Sequence, residues 1–404
     1  MGERILILDP GLVVSEGHHL GVSGMLGAAA IEMGHQPIVV ANATSPLSSI
    51  IYDGREIPVV AALPQSPYPG AGVRTMDELD AFNDAAYRQL ADLPAHLFDQ
   101  PVRVIVHTTN EIQVLGLARW LSEQVGNDAG HGVKSAVVTL MMPIPVNQRA
   151  GGFDEEDPTV CELYRRALRI IAGRTGIAIL GFGEVVSEDH ATSSGVPVEV
   201  GRPLAPGFGR AIRPKAEAEE PTVLLYMGDA KLDKGLHLLP DVIARLRATS
   251  VRAKFIIHLS GSMVERYAWL IERIAAAAEG DDRFELRRGR LTEQEFNDLW
   301  DSADLAVLSY HPGVYARKAS GICWDAINRG IPAVVIADTW HMLEFPRYGH
   351  PVIVAEAFQS GPLAEAILEA IDQLPALGEA AALGRDRFLA ANDPKHYIAR
   401  LLNA

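Results

Sequence analysis

Lys231 and Lys234 stand three residues apart in Gly228-Asp229-Ala230-Lys231-Leu232-Asp233-Lys234-Gly235, directly after the apolar run Leu224–Met227. Two point charges beside the backbone N–H groups of a glycine turn suit a pyrophosphate, whose charge-assisted hydrogen bonds contribute about 1.5–3 kcal/mol each. Read alone, the same lysines are equally two solvated loop cations. A second anion-suited stretch is Leu305–Ile336, LAVLSYHPGVYARKASGICWDAINRGIPAVVI. There Ser320 can cap a helix running to about Arg329, where Gly330 and Pro332 stop it. The Ser320-Gly321 corner would aim unpaired N–H groups at a phosphate. Asp325, one turn further in, would meet hydroxyl groups instead.

Such loops need strands to hang from. Leu305–Leu308 and Ala333–Ile336 have the length and β-branching of buried strands, so the stretch is a βαβ unit. Around it the pattern predicts strands at Thr222–Met227, Lys254–His258, Arg283–Leu286 and Val352–Ile353. Helices are expected at about Leu236–Ala248, Val264–Ala278, Glu293–Ala303 and Pro362–Leu374, with a last one over Arg385–Leu402. The first half alternates in the same way. Strands are expected at Arg4–Leu8, Gln36–Ala41, Val102–Val106, Ser135–Met141, Ile177–Phe182 and Val198–Val200, with a loop or short hairpin on the sheet edge within 43–75. Helices are expected at about Leu20–Met33, Met76–Leu97, Ile112–Val125 and Pro158–Ala172. Parallel sheets with helices on both faces follow. Residues 203–221 hold four prolines and a charged tract, the composition of a linker. The expected division is 1–202, linker 203–221, 222–383, and a helix over 384–404 returning to the first domain.

The 404 residues, 48% hydrophobic, suffice for two cores. A net charge of −15 argues against nucleic acid or an anionic membrane as main partner. Most of that charge lies in the first half, so the second repels an anion less. Cys161 and Cys323 fall in different halves, which excludes a disulfide framework or a CxxC motif and suits a cytoplasmic location. The start, MGERILILDP, has an apolar run too short for a signal peptide, and no segment approaches a membrane span. With no HExxH, no Cys/His cluster and no DxD-like pair, neither a metal nor another cofactor is expected. The absence of G-x-S-x-G leaves a hydrolase elbow without support.

Taken in order, GDAKLDKGLHLLP, GRLTEQEFNDLWDSADLAVLSY and SGICWDAINRGIPAVV resemble the donor-binding half of GT-B glycosyltransferases of the family 4 type. Glu16-Gly17-His18-His19-Leu20 and Gly34-His35-Gln36-Pro37-Ile38 are similar to that family's N-terminal motifs, so the resemblance spans nearly the whole chain. It implies two Rossmann-like domains facing a cleft, and a metal-independent, retaining transfer from a nucleoside-diphosphate sugar to an acceptor hydroxyl. Gly17 would approach the donor phosphates, and Lys234 would neutralise the diphosphate. Arg290 would sit where the nucleobase is held, and Asp325 would bind ribose. Asp229 replaces the family's arginine, leaving Lys231 to supply the second cation. Arg317 replaces the first glutamate of E-x7-E and implies an altered sugar, an acidic one, or else a different placement of the diphosphate; its structural alternative, shared with Lys318, is a solvent-facing loop charge. Met141-Met142 stand where the family often carries a histidine.

His18, His19 and His107 then remain at strand ends, where one would orient an acceptor hydroxyl or act as a base. Each is also readable as a hydrogen-bonded structural histidine, and Asp9 as a loop cap in its DPG context. The acceptor is expected to be a saccharide, small molecule or lipid-linked group, with at most peripheral membrane contact. A GT-B epimerase or phosphorylase, and a non-catalytic binding subunit, are the competing readings.

Overall fold

The computed structural model describes residues 2–14, 17–67, 75–126, 132–141, 146–149, 152–205, 207–209, 220–261 and 264–404, with backbone alone over 146–149 and 152–156. Glu16, Met142 and most of the expected linker lie outside the described residues. The chain divides into two compact units, Met1–Pro206 with Asn392–Ala404, and Gly207–Ala391.

Unit 1 runs β1 (Arg4–Asp9), α1 (His18–Glu32), β2 (Gln36–Asn42), β3 (Ser49–Tyr52), β4 (Arg55–Leu63), α2 (Met76–Ala91) and β5 (Val102–Thr109). It continues with α3 (Val114–Gln124), β6 (Val133–Leu140), β7 (Val146–Arg149), β8 (Gly152–Glu156), α4 (Pro158–Ile171), β9 (Ile177–Phe182), α5 (Glu184–Ser194) and β10 (Glu199–Gly201). Eight strands form one sheet in the order β10-β9-β6-β5-β1-β2-β4-β3. All its pairings are parallel except β3 with β4, the expected edge hairpin. The inner strands read as unbroken apolar runs because both faces are covered. Leu6, Val104, Trp120, Leu163 and Leu168 belong to one core. Helix starts follow side-chain chemistry: Thr75 and Glu78 form a capping box at α2, and Asp157 caps α4 ahead of Pro158.

Unit 2 runs β11 (Thr222–Asp229), α6 (Leu239–Arg247), β12 (Lys254–Ser260), α7 (Ala268–Ala278), β13 (Phe284–Arg288), α8 (Glu293–Ser302), β14 (Leu305–Leu308) and α9 (Pro312–Tyr315). Then come α10 (Gly321–Arg329), β15 (Ala333–Ile336), α11 (His341–Arg347), β16 (Val352–Ala355), α12 (Ser360–Asp372) and α13 (Leu374–Ala391). Its six strands are all parallel, ordered β13-β12-β11-β14-β15-β16. That is the doubly wound 3-2-1-4-5-6 order, and unit 1 repeats it through β4-β2-β1-β5-β6-β9.

The last helix, α14 (Pro394–Leu402), belongs to unit 1 and packs on α1, β5 and β6. Leu401 carbonyl oxygen accepts from Ser135 Oγ at 2.7 Å and from Arg103 at 3.1 Å, while Lys395 pairs with Glu32 at 2.7 Å. The single helix expected over Arg385–Leu402 is instead two. Asp393 caps a fresh start at Pro394, and α13 begins eleven residues earlier than that reading allows. The division accordingly falls after 206 and after 391, not at 202 and 383. Among the described residues no helix is long and apolar enough to cross a membrane.

Candidate functional site

In a doubly wound sheet the strands on either side of the order reversal send their connections to opposite faces, which opens a crevice at their carboxyl ends. In unit 2 that point lies between β11 and β14. β11 ends at Gly228-Asp229, and Gly228 has φ +102. The Tyr226 hydroxyl then fixes the loop, donating to Asp229 carbonyl oxygen at 2.7 Å and accepting from Lys231 N–H at 3.0 Å. On the β14 side, Ser309 Oγ donates to Lys234 carbonyl oxygen at 2.9 Å. Gly235, at φ +80, is pressed so closely on Ser309 that a Cβ there would collide with it. The lysine loop is therefore bolted to both strands of the switch point.

Its charges are unevenly compensated. Lys231 Nζ lies 3.0 Å from Asp229 Oδ2. Lys234 Nζ sits 5.6 Å above the Tyr310 ring, and burial pushes its pKa down against the raising pull of Asp229. Lys318, from the loop before α10, places Nζ 5.2 Å from the Tyr315 ring, and burial lowers its pKa too. Ser320 occupies the N-cap of α10 but makes no side-chain cap bond; its hydroxyl lies 3.4 Å from that of Tyr310. A Cβ on Gly321 would meet nothing within 4 Å, so that helix corner is open.

The remaining predicted donor residues are more dispersed. Asp325 is buried within α10, and burial raises its carboxyl to about 7 although Arg329 pulls it down. Arg290 is exposed at the end of β13, two strands from β11, after Gly289, whose carbonyl oxygen faces His258 Nε2 at 2.9 Å. Arg317 is half-buried between α9 and α10. Lys318, expected as a loop charge, stands where Asp233 and, more weakly, Lys231 and Lys234 act on it.

Unit 1 builds its switch point between β1 and β5 around Asp9, whose side chain is wholly buried. Oδ1 accepts from Gly11 N–H at 3.2 Å and lies 2.6 Å from His19 Nδ1. Oδ2 accepts from Ser23 Oγ at 2.7 Å and lies 3.2 Å from His107 Nε2. His107 Nδ1 in turn stands 2.9 Å from Thr108 Oγ1. Burial alone would raise the Asp9 carboxyl, but His107 and His19 together hold it far below the usual range. His18 stays outside this cluster. Its Nε2 is buried with no hydrogen-bond partner, and burial, aided by His19 and His107, pushes its pKa to about 3. Gly17, at φ +90, caps α1 without a side-chain bond.

His19 and His107 thus converge, and the residue that joins them is the aspartate read as a loop cap. A signal was present: an acid closing the first strand, with a His pair ten residues on. A carboxylate fixing an imidazole is the arrangement of a general base. Asp9, His19 and His107 also offer ligand atoms all within 4.8 Å of one another, a set of the kind that holds a divalent cation. The expectation of no metal rests on motifs contiguous in sequence, and this set is not contiguous.

No protein-family model matches the chain, and no curated protein sequence does. Solved structures match it end to end. Sucrose-phosphate synthase from Thermosynechococcus elongatus is 16% identical with TM-score 0.65, covering 99% of this chain and 98% of that one. Anabaena HepE in complex with UDP is 13% identical with TM-score 0.65, covering 99% of each. The trehalose-6-phosphate synthase OtsA is 11% identical with TM-score 0.67, covering 100% and 99%. The chain has the GT-B fold. Within that fold, the lysine loop, the open α10 corner and Lys318 sit at the switch point of unit 2, and the Asp9 cluster at that of unit 1.

Proposed function

We propose that the protein is a glycosyltransferase that moves a sugar from a nucleoside-diphosphate sugar to an acceptor hydroxyl. One observation carries the reading: Lys234 and Lys318, half-buried and with no described carboxylate at ion-pair distance, gather beside an open helix N-terminus at the switch point of unit 2. As the glycosidic C–O bond breaks, negative charge collects on the diphosphate, and fixed cations and N–H groups already in place stabilise it without reorganising. Lys234 is the principal cation, Ser320 and Gly321 present backbone donors, and Asp325 takes ribose hydroxyls. That HepE, of like fold, is seen in complex with UDP agrees with this. Unit 1 takes the acceptor, and the Asp9-fixed His19 receives its proton. Transfer proceeds with retention and without a metal; chelation of divalent ions is expected to leave it unchanged.

Calorimetry with UDP, ADP and GDP tests the assignment. At least one is expected to bind, and Lys234→Ala is expected to weaken it by about 1.5–3 kcal/mol, the scale of a charged hydrogen bond. Unchanged affinity in a folded Lys234→Ala variant overturns the placement of the diphosphate. A labelled sugar nucleotide that is consumed only when an acceptor is added separates transfer from epimerisation.

A further inference from the structure

Lys231 has a carboxylate at ion-pair distance, whereas Asp229 and Asp233 act on Lys234, and Asp233 on Lys318, only from further away. Its ion pair with Asp229, at 3.0 Å, is about half open to solvent on both sides. Neither Lys234 nor Lys318 forms an ion pair or hydrogen bond through Nζ with any described residue. Each ammonium lies instead against an aromatic face, Tyr310 at 5.6 Å and Tyr315 at 5.2 Å, and those two rings are 4.4 Å apart. A ring quadrupole steers a cation, contributing about 0.5–2 kcal/mol, but does not cancel its charge. The tyrosines themselves are fixed: both are buried, and Tyr315 carbonyl oxygen accepts from Trp340 N–H at 2.7 Å. A rigid aromatic pair therefore carries two ammonium groups that have no described carboxylate at ion-pair distance, next to the open corner of α10.

We propose that Lys318, rather than Lys231, acts with Lys234 as the second cation of the diphosphate site. The proposal rests on the nucleotide-sugar reading above and replaces the family's missing arginine with a residue from a different loop. Lys231 is held in reserve by Asp229, whose place is itself tight: a Cβ on Gly261 would lie 2.5 Å from Asp229 Oδ1. Burial that lowers the pKa of both Lys234 and Lys318 is relieved when an anion arrives, so binding and full protonation reinforce each other.

Calorimetry on the full chain, with whichever of UDP, ADP or GDP wild type binds most tightly, tests this. Lys318→Met is expected to raise Kd about tenfold or more, and Lys318→Arg to retain affinity within about threefold. Lys231→Met is expected to lose less than Lys318→Met. Adding Asp229→Asn to Lys318→Met frees Lys231 and is expected to restore part of the loss, which a folding defect would not allow. The matching nucleoside monophosphate, lacking one phosphoryl group, is expected to be less sensitive to Lys318→Met than the diphosphate. Wild-type affinity in Lys318→Met, or equal losses in the Met and Arg variants without rescue, overturns the role of Lys318 alone. Wild-type protein that binds no nucleoside diphosphate overturns the nucleotide-sugar reading itself.

Discussion

The two units share one strand order, yet their switch points are finished in opposite ways. In unit 1 a single buried carboxylate is surrounded by groups from its own unit: Gly11 N–H, His19, Ser23 and His107. In unit 2 the corresponding place keeps Lys234 and Lys318 partly desolvated, with Asp229 and Asp233 acting on them from beyond ion-pair distance, and Asp325 buried with a raised pKa. The first pairs its charge at hydrogen-bond distance; in the second, Lys234 and Lys318 have no described carboxylate within that distance. One strand order thus carries two different chemistries at its switch points, a hydrogen-bonded acid and imidazole cluster in unit 1 and ammonium groups laid against aromatic faces in unit 2.

Substitutions can break that contrast. The largest effect is expected from Asp9→Ala, which strands several buried donors and should cost about 3–5 kcal/mol in unliganded stability, read by urea denaturation. A loss under about 1 kcal/mol would show that the cluster does not hold unit 1 together. Next comes Asp325→Asn. The folded carboxyl titrates near 7, above its unfolded value, so the folded state binds more protons through the interval from about 4 to 7. Stability therefore falls as pH rises through that window. The asparagine variant is expected to remove the fall and to exceed wild type at pH 8, by up to about 4 kcal/mol, with the advantage vanishing toward pH 4. Melting curves against pH that stay parallel would refute it. Lys234→Ala should sharpen the comparison from the other side, losing diphosphate affinity while its unliganded midpoint holds within about 0.5 kcal/mol or rises. The smallest effect belongs to positions outside either switch point: Thr292→Ala, which opens the capping box at α8, should cost about 1 kcal/mol and leave affinity untouched.

Much of the fold was legible because buried parallel strands announce themselves as short apolar runs. Leu305–Leu308 and Ala333–Ile336 are strands with the bounds expected, and every residue of each is buried. The helices missed are those with weak sequence periodicity or atypical ends. α5 carries Ser, Glu, Asp and His along most of its length and packs on β9 and β10 regardless, while α11 contains Pro346. At the sites, residues adjacent in sequence were easier to find than residues joined in space. The Gly228–Gly235 loop and the α10 corner stand out as continuous motifs, and the fold sets both at the switch point of unit 2. Asp9 acquires its meaning only when β5 brings His107 beside it, and Lys318 only when Tyr315 carries it toward Lys234.

The return of α14 to unit 1 bears on how the protein is made. Unit 2 is, in chain order, an insertion between the body of unit 1 and its last helix. A ribosome therefore delivers all of unit 2 before Tyr397 can reach Thr139, or Leu401 can accept from Arg103 and Ser135. The earlier-made unit is the later one to be completed, reversing the usual N-to-C order of domain folding. A chain released after Ala391 would carry all of unit 2 and a unit 1 whose apolar surface beneath α14 is still bare, a form exposed to aggregation and to chaperones.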